Sequence, residues 1–374
     1  MTDIELAGVG LHPFGRFERL TATEMGVIAV RAALADAGWT PSDARGRIGA
    51  AFCATAYGGV AAGHRVLGAL ALTGIPIVDV EAGCASGGAA LALAAQAIEA
   101  GQRDAVLVVG IEKMPKGMIR SSFFEPWQEA AGLAATPGYF ALRAQRLLRE
   151  HGLTTDDLAA LVVKNRRWGA LNPDAMFRSE VSPEQVLASR MVADPLRLWM
   201  LCSPNEGAAA VIVRRGRRGI RLAAVSLRSH LPGSVLDEST PLAGIDDSTI
   251  TSPTRLAATD AYEAAGLGPG DLHLAECQDT DAARELLSWT ELGLCDIGDQ
   301  RRLLAEPPGS VALNRSGGLL SKGEPLGASG LGQVVELVRQ LRGQAEHRQV
   351  VGASVGLAHT IGRGANASVT ILTT

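Results

Sequence analysis

The stretch IPIVDVEAGCASGGAALALAAQAIEAG, residues 75–101, decides how the rest of the chain is interpreted. Its apolar start predicts a strand, Gly83 permits a sharp turn, and the alanine-rich run predicts a helix that begins close to Cys84. A thiol at a helix N-terminus lies near unpaired backbone N–H groups and the positive end of the helix dipole, which favour the thiolate. Cys84 is therefore a candidate nucleophile, and a buried structural cysteine is the alternative. The other four cysteines lie in weaker contexts.

Two patterns occur twice in the chain. Residues 22–43 and 256–271 both place apolar residues at helical spacing before a glycine and a Pro-x-Asp sequence. Gly38 matches Gly266, and Pro41 matches Pro269. Residues 84–110 and 327–356 also share the order of small-residue turn, helix, polar loop and strand. These correspondences indicate a duplication in which each half is an α/β unit.

Continuous apolar runs such as residues 105–109 alternate with helical patterns, which predicts a largely parallel sheet covered by helices on both faces. The segment at about 115–200 contains several prolines and the basic run KNRRWGALNP, and it is interpreted as an insertion of loops and helices over one face. Such a segment either gathers binding residues or covers a dimer interface. We expect an N-terminal half at 1–240, which includes this insertion, and a C-terminal half at 241–374.

Composition excludes several classes of protein. The chain has 374 residues, 47% hydrophobic and 20% charged, with 35 basic and 39 acidic side chains. This is globular composition without the basic excess that nucleic-acid binding needs. We expect no secretory signal and no membrane span, and hence a cytoplasmic protein. Five cysteines without a CxxC pair, and histidines without ligand spacing, predict neither disulfides nor a metal site.

Five sequence blocks carry a resemblance to a known family. CASGGAAL lies between the apolar entry TGIPIV and the exit AVLVVGIEKM, and the later blocks are VKNRRWGALNP (163–173), SPNEGAAAVIV (203–213), LNRSGGLLSKGEPLGASG (313–330) and GLAHTIGRGANASVTIL (356–372). In this order they resemble the thiolases, and most closely the sterol-carrier-protein-x or lipid-transfer-protein-like type. The resemblance implies a five-layered α/β/α/β/α fold of two similar halves, a homodimer, and a coenzyme A thioester substrate whose acyl group passes through an acyl-cysteine. We expect no covalently bound cofactor, and relatives of this type often work with a separate small zinc-ribbon and OB-fold subunit, which by analogy is a candidate partner.

The chain departs from the family pattern at three positions. Where relatives have GHPLGA, this chain has GEPLGA, so Glu324 replaces the histidine that activates the nucleophile and polarises the thioester carbonyl. In the HDCF-like segment, Gln278 replaces the histidine and Thr280 replaces a proposed acid/base cysteine, whereas Asp279 is retained. His359 matches the family's histidine in the C-terminal glycine-rich turn. The usual acid/base set is therefore incomplete.

Two assignments of the base remain open. Glu324 is a candidate general base in a dry pocket, or His359 takes this role while Glu324 positions a polar substrate or water. A carboxylate beside Cys84 disfavours the thiolate by like-charge repulsion, unless Glu324 is protonated or pairs with a cation such as His359. Gln278 can donate an amide N–H to a developing oxyanion but cannot transfer a proton.

Candidate substrate-binding residues fall into two groups. Lys164, Arg166 and Arg167 suit the phosphates of coenzyme A, although a solvated surface cluster explains them equally well. The glycine-rich segments at 313–330 and 362–364 are expected to bring backbone close to the pantetheine arm, and within them we single out Gly327, Ser329 and Gly362.

The function predicted from these residues is a thiolase-like acyltransferase that forms an acyl-cysteine at Cys84 and then transfers the acyl group, or makes or breaks a C–C bond, on a specialised substrate. One alternative is a thiolase-like retro-aldolase of acyl-CoA side-chain degradation, against which the intact CASGG segment counts. Another is a catalytically silent scaffold that binds acyl-CoA, which the substitutions at Glu324, Gln278 and Thr280 favour.

Overall fold

The computed structural model describes residues 3–117, 126–130, 136–232, 250–362 and 366–374. Its strands are β1 (Ile4–Gly15), β2 (Ala50–Ala54), β3 (Ile77–Val80), β4 (Ala105–Lys113), β5 (Met191–Ala193), β6 (Leu196–Arg197), β7 (Glu206–Arg215), β8 (Ile220–Arg228), β9 (Leu274–Glu276), β10 (Ala312–Leu313), β11 (Val355–Ile361) and β12 (Ala367–Thr373).

The α-helices are α1 (Ala22–Asp36), α2 (Pro41–Arg47), α3 (Ala62–Ala69), α4 (Ser86–Glu99), α5 (Pro126–Ala130), α6 (Thr136–His151), α7 (Thr155–Ala170), α8 (Pro183–Ala188), α9 (Pro253–Ala265), α10 (Ala282–Glu291), α11 (Gln300–Leu304), α12 (Gly318–Lys322) and α13 (Leu326–Leu341).

Helix ends follow the local sequence. Thr21 and Glu24 form a reciprocal capping box at the start of α1, which satisfies two backbone N–H groups that have no partner within the helix. The matching glycines of the two repeats, Gly38 and Gly266, follow α1 and α9 in left-handed conformation, with φ of 67° and 68°. Glycine adopts this conformation without steric cost, which explains why both helices stop there.

The sheet topology confirms the duplication. Ten strands are hydrogen-bonded in the order β10-β9-β11-β12-β8-β1-β7-β4-β2-β3. If the five strands of each half are numbered 1 to 5 along the chain, both halves have the order 3-2-4-5-1 from the outer edge of the sheet to its centre. The first half contains β1, β2, β3, β4 and β7, and the second contains β8 to β12. The first strands of the two halves meet through a short pairing of Glu5 with Arg221 and Leu6 with Ile220. The α/β fold class with two similar halves is therefore confirmed.

The prediction of a largely parallel sheet was wrong, because the sheet is mixed. β2 runs parallel to β3 and β4, and β9 runs parallel to β10 and β11. By contrast, β7 is antiparallel to β1 and β4, and β12 is antiparallel to β8 and β11. A strand that is buried on both faces has a continuous apolar sequence in either direction, so the pattern could not reveal strand polarity.

Helices α4 and α13 form the central layer of the five-layered fold. They pack against each other and against strands of both halves, whereas α1 covers the first half and α9 the second from outside. Glycines permit this close packing: a Cβ at Gly88 of α4 would overlap Ser368 Oγ of β12, and one at Gly327 of α13 would lie 2.5 Å from Ala54 O of β2. The helix of each half is thus seated against strands of the other half.

Residues 136–200 hold α6, α7 and α8 and pack on α10, α11 and α12 of the second half. They belong to the segment interpreted as an insertion, of which residues 118–125 and 131–135 lie outside the described residues. The expected boundary at 240/241 lies outside them, within 233–249, and stays a prediction, although the strand order counts β8 (Ile220–Arg228), which precedes this boundary, with the second half. Within the described residues, no helix is both long enough and apolar enough to cross a lipid bilayer.

Substitution of Gly110 tests the packing of the central layer. A Cβ added at Gly110 of β4 would overlap Gly327 O and lie 2.8 Å from Ala328 Cα, both of them backbone atoms that cannot move aside cheaply. We expect Gly110→Ala to lower the free energy of unfolding by about 1–3 kcal/mol, as overpacking of a core does. Chemical denaturation monitored by circular dichroism measures the change.

The matched control is Gly46→Ala, because Gly46 lies on the exposed face of α2 and an added Cβ there would meet no atom within 4 Å. Alanine favours the helix by roughly 0.5–1 kcal/mol over glycine, so this variant should be at least as stable as the parent protein. Equal stabilities of the two variants would contradict the close approach of α13 to β4.

Candidate active site

Cys84 lies in a 3₁₀ turn, Gly83–Ala85, that leads directly into α4. Gly83 has φ of 58°, the left-handed conformation that glycine tolerates. Ser86 stabilises the turn, because its hydroxyl accepts a hydrogen bond from Ala82 N and donates one to Gly83 O. Cys84 is 6% exposed. The strand, turn and helix predicted around it are all present.

Gly362, just beyond β11, brings the second half against this turn. A Cβ at this position would overlap Ala82 O and lie 3.0 Å from the backbone nitrogen of Cys84. Its own N–H donates to Asn366 O at 2.8 Å. Gly362, which we expected near the pantetheine arm, therefore packs as bare backbone on the turn that carries the thiol.

A cavity of about 570 Å³ opens beside Cys84. Polar residues from four separate segments line it with Cys84, among them Arg166, Cys202, Thr280, Arg284 and Glu324. Much of its apolar wall comes from the segment at 136–200, namely Phe140, Phe177, Val192, Leu198 and Trp199. This segment therefore supplies cavity-lining residues, which is one of the two roles expected of it.

Glu324 is held on the cavity wall by hydrogen bonds to both its backbone and its side chain. Its N–H donates to Ser203 O at 2.9 Å. One carboxylate oxygen accepts a hydrogen bond from Gln278 Nε2 at 2.7 Å, and the other accepts one from Cys202 Sγ at 3.1 Å. The residue is 4% exposed. These two donors fix the orientation of the carboxylate.

The sequence interpretation did not assign Cys202 to this site. Cys202 lines the cavity, and its backbone N–H donates to Thr280 O at 2.9 Å. Burial raises the pKa of the Cys202 thiol, and the charges of Glu324 and Cys84 raise it further. Cys202 therefore keeps its proton and acts as a hydrogen-bond donor. Its one sequence signal is its position directly before the block SPNEGAAAVIV.

Gln278 lies behind Glu324. The side chain is fully buried and is not among the described residues that line the cavity. Its amide nitrogen donates to Glu324, while its Oε1 is buried without a hydrogen-bond partner in the described structure. In this geometry Gln278 contacts the carboxylate of Glu324 and holds it, which differs from the oxyanion contact expected of it.

His359 on β11 is fully buried and also lies outside the described lining of the cavity. Its Nε2 is 3.0 Å from Thr254 Oγ1, and its Nδ1 accepts a long 3.5 Å hydrogen bond from Gln278 N. Burial lowers the pKa of His359 well below its usual value, and the charge of Arg284 adds to the effect. The imidazole is therefore neutral, so it supplies no cation to pair with Glu324.

Asp279, the retained residue of the HDCF-like segment, supports Glu324 from a distance. Its carboxylate accepts hydrogen bonds from the backbone N–H groups of Leu319 and Leu320 at 2.7 and 3.1 Å. These groups belong to the first turn of α12, whose N–H groups lack partners within the helix. Asp279 thus anchors the helix that ends two residues before Glu324.

The three basic candidates occupy different environments. Lys164 is buried, and its Nζ contacts Glu285 and Leu313 O, each at 3.0 Å. Arg167 is largely exposed and pairs with Glu306. Arg166 alone of the three lines the cavity.

Gly327 and Ser329 on α13 are buried and are not among the described lining residues. The N–H of Gly327 donates to the buried carboxylate of Glu112, and Ser329 Oγ donates to Leu326 O. The polar groups of Gly327 and Ser329, which we expected near the pantetheine arm, therefore bond to other residues of the protein. Within the described residues, no group of three or more histidine, cysteine, aspartate and glutamate side chains could hold a metal ion.

The sequence of the chain matches known protein families and relatives over almost its whole length. Residues 8–194 match the family model described as "Thiolase, N-terminal domain", and residues 237–374 match "Thiolase C-terminal domain-like". The chain is 34% identical to an acetyl-CoA acetyltransferase of Methanothermobacter thermautotrophicus, covering 99% of each chain. It is 33% identical to benzoylsuccinyl-CoA thiolase subunit BbsB of Thauera aromatica, covering 97% of this chain and 96% of the relative.

Solved structures share the fold. The Ltp2-ChsH2(DUF35) aldolase superposes with a TM-score of 0.85 at 23% identity, covering 100% of this chain and 98% of that chain. Human mitochondrial 3-ketoacyl-CoA thiolase gives a TM-score of 0.72 at 16% identity, covering 100% and 99%. At these identities the likeness shows the five-layered architecture and carries no statement about activity.

The contact between Cys202 and Glu324 can be tested by alkylation. Because the charge of Glu324 raises the pKa of the Cys202 thiol, Glu324→Gln should lower that pKa and increase the thiolate fraction. Because the thiolate is the reactive form of cysteine, we expect iodoacetamide to modify Cys202 faster in the variant than in the parent protein at pH 8. Peptide mass spectrometry measures the rate for each cysteine.

Cys295 is the internal control, because burial and Asp299 raise its pKa to about 11 without a contribution from Glu324. Its alkylation rate should be the same in both proteins. A rate at Cys202 that is unchanged, or that falls, in Glu324→Gln would contradict the hydrogen bond between the two side chains.

Proposed function

Because this chain belongs to the thiolase family, we propose that it is an acyltransferase that receives an acyl group from a coenzyme A thioester on Cys84. The observation that carries the proposal is the shared cavity: Cys84 lines it from the start of α4, and the carboxylate of Glu324 lines it from the other half of the fold. A nucleophile and a candidate base therefore face one space, and the positive end of the α4 dipole favours the thiolate of Cys84.

In the proposed first step, Glu324 takes the proton of the Cys84 thiol. The sulfur attacks the thioester carbonyl, a new carbon–sulfur bond forms, and the bond between the carbonyl carbon and the sulfur of coenzyme A breaks. The proton then passes from Glu324 to the departing coenzyme A thiolate, so that charge and atoms balance. Glutamate can transfer a proton in this way, as general acid–base catalysis requires.

The environments of Glu324 and His359 support the choice of base. Glu324 lines the cavity with its carboxylate oriented by Cys202 and Gln278. His359 is fully buried, and both of its ring nitrogens are occupied by Thr254 and Gln278. A base must come within hydrogen-bond reach of the proton that it removes, which favours Glu324.

The second step transfers the acyl group from Cys84 to an acceptor, or makes or breaks a C–C bond. The cavity presents a carboxylate, a protonated thiol and a threonine at Glu324, Cys202 and Thr280. This donor set differs from the histidine-based set expected of relatives, which supports a specialised substrate over the common acetyl exchange.

We also propose that the chain works with a second copy of itself and with a separate small zinc-ribbon and OB-fold subunit. The relative from Thauera aromatica is described as a subunit, and the Ltp2-ChsH2(DUF35) aldolase is named for two components. The sheet supports the homodimer: among the described strands, the edge strand β3 has β2 as its one neighbour, and Val78 on β3 is 45% exposed. Unpaired edge strands readily pair with another chain.

Acylation of Cys84 tests the central proposal. The purified protein is incubated with short, branched and aromatic acyl-CoA thioesters, and intact-mass and peptide mass spectrometry locate the adduct. We expect an adduct at Cys84 that Cys84→Ala abolishes. Loss of a general base typically costs about 10²–10⁴-fold in rate, so Glu324→Gln should slow its formation by that order.

Cys295→Ser is the matched control, because Cys295 is a half-buried thiol outside the described cavity lining. In this variant, Cys84 should be acylated at the same rate as in the parent protein. Thioester binding without any adduct, or turnover that survives Cys84→Ala, would refute the acyl-enzyme proposal. If the protein then still cleaved a C–C bond of the substrate, it would be a retro-aldolase. If it bound the thioester without any reaction, it would be a silent scaffold.

The dimer proposal is tested at β3. Val78→Lys places a charge on the exposed edge and should convert the dimer to a monomer, as measured by light scattering after gel filtration. Val351→Lys is the control, because Val351 is 94% exposed and precedes β11, outside β3. A parent protein that is itself monomeric, or a Val78→Lys protein that stays dimeric, would refute pairing through this edge.

A further inference from the structure

Arg166 is a buried cation on the wall of the cavity that contains Cys84. It lies on α7, is 7% exposed, and its guanidinium carbon stacks 4.2 Å from the centre of the Phe177 ring. The aromatic face holds the plane of the guanidinium by a cation–π contact. The side chain is therefore oriented before any ligand arrives.

Within the part of the chain that the structure describes, the guanidinium of Arg166 has no counter-anion. Among those residues it makes neither a hydrogen bond nor an ion pair, and its Nε is buried without a partner. Burial lowers the pKa of Arg166 to about 10, so the group remains charged at neutral pH. Five N–H donors and a full charge without a partner are expensive to bury.

The surrounding cations show how this protein otherwise neutralises charge. Lys164, two residues earlier on α7, is equally buried but pairs with Glu285. Among the arginines of the cavity, Arg16 pairs with Glu206 and Arg284 with Glu291. Arg166 thus stands apart from these neighbours as a buried cation without an anion among the described residues, and its guanidinium borders the substrate space.

We propose that Arg166 binds a carboxylate carried by the acyl chain of the thioester substrate. This rests on the proposed function, since it assigns the substrate of the same cavity. A guanidinium binds a carboxylate through two parallel hydrogen bonds, and a site closed to water strengthens them. The apolar residues around it, including Phe140 and Trp199, suit the hydrocarbon part of such a chain.

An acyl carboxylate fits the position of Arg166 better than a phosphate of coenzyme A does. Arg166 and Cys84 line one cavity of about 570 Å³. An acyl carboxylate lies a few bonds from the thioester carbon, whereas the whole pantetheine arm separates the phosphates from it. Arg166 is also more than nine-tenths buried. Side chains that bind the phosphates of a solvated cofactor can remain at the surface, so this burial favours the acyl carboxylate.

The test compares thioesters that differ only in charge. Glutaryl thioesters are paired with their uncharged monoamides, each prepared with coenzyme A and with N-acetylcysteamine, which has no phosphate. Binding is measured by calorimetry on the Cys84→Ala protein, which cannot react, and acylation is measured on the parent protein. Hydrogen bonds to charged groups typically contribute about 1.5–3 kcal/mol, so we expect the carboxylate member to bind about 10- to 100-fold more tightly in both series.

Variants at Arg166 locate the preference. Arg166→Gln should abolish the preference for the carboxylate, and Arg166→Lys should keep part of it, since lysine retains the charge but not the paired donors. Arg178→Gln is the matched control: Arg178 is exposed, directly follows Phe177 and is not part of the described cavity lining, so its removal should leave the preference intact.

Stability separates ligand binding from a structural role. If Arg166 mainly supported the fold, Arg166→Gln would lower the melting temperature of the ligand-free protein. We expect an equal or higher melting temperature, because the change removes a buried charge without a partner. If Arg166→Gln did not fold, Arg166→Lys would carry the test, and a carboxylate preference equal to that of the parent protein in this variant would refute the proposal.

Two further outcomes would overturn the proposal. One is a carboxylate preference that persists in Arg166→Gln. The other is a loss of affinity in Arg166→Gln that is equal for charged and uncharged coenzyme A thioesters and absent with N-acetylcysteamine, which would assign Arg166 to a phosphate. Carboxylate binding that depends on Arg166 without any adduct at Cys84 in the parent protein would support this site while refuting the acyl-enzyme function.

Discussion

The contact between Gly362 and the backbone of the Cys84 turn is the constraint on which the rest of the site depends. It joins the two halves of a duplicated fold at a distance that leaves no room for a side chain. The turn carries the thiol, and Gly362 follows the strand that carries His359. Because backbone atoms make the contact on both sides, the two halves are held together without a side chain, and the side chains near Cys84 remain available for catalysis.

The central helices extend this close packing away from the turn. α4 begins two residues after Cys84 and α13 begins two residues after Glu324, so each helix starts beside one of the two groups that we assign to catalysis. Their glycines let the helix of one half approach strands of the other half. Interiors packed at this density move little, and a nucleophile and a base from opposite halves can therefore keep a fixed geometry.

Glu324, where the family pattern leads us to expect a histidine, is held by a connected set of neighbours. Gln278 and Cys202 both donate to the carboxylate, and the backbone carbonyl of Thr280 accepts a hydrogen bond from the N–H of Cys202. His359, by contrast, is a buried neutral side chain. The site differs from the expected family pattern as a connected hydrogen-bonded group, and Arg166 adds to the same cavity a cation that no described anion neutralises.

The sequence by itself determined the features that depend on neighbouring residues. The turn at Gly83, the helix that follows Cys84, the stops at Gly38 and Gly266 and the order of elements in both repeats were all predicted, because backbone conformation and helix ends are governed by local interactions. Tertiary structure alone decided strand polarity, the role of Cys202 and the environments of Lys164, Arg166 and His359. Cys202 and Glu324 are 122 residues apart in the chain, and Lys164 and Glu285 are 121 apart. Contacts of this kind exist only after the halves have packed, since burial and charge act through space and leave no signal in the surrounding sequence.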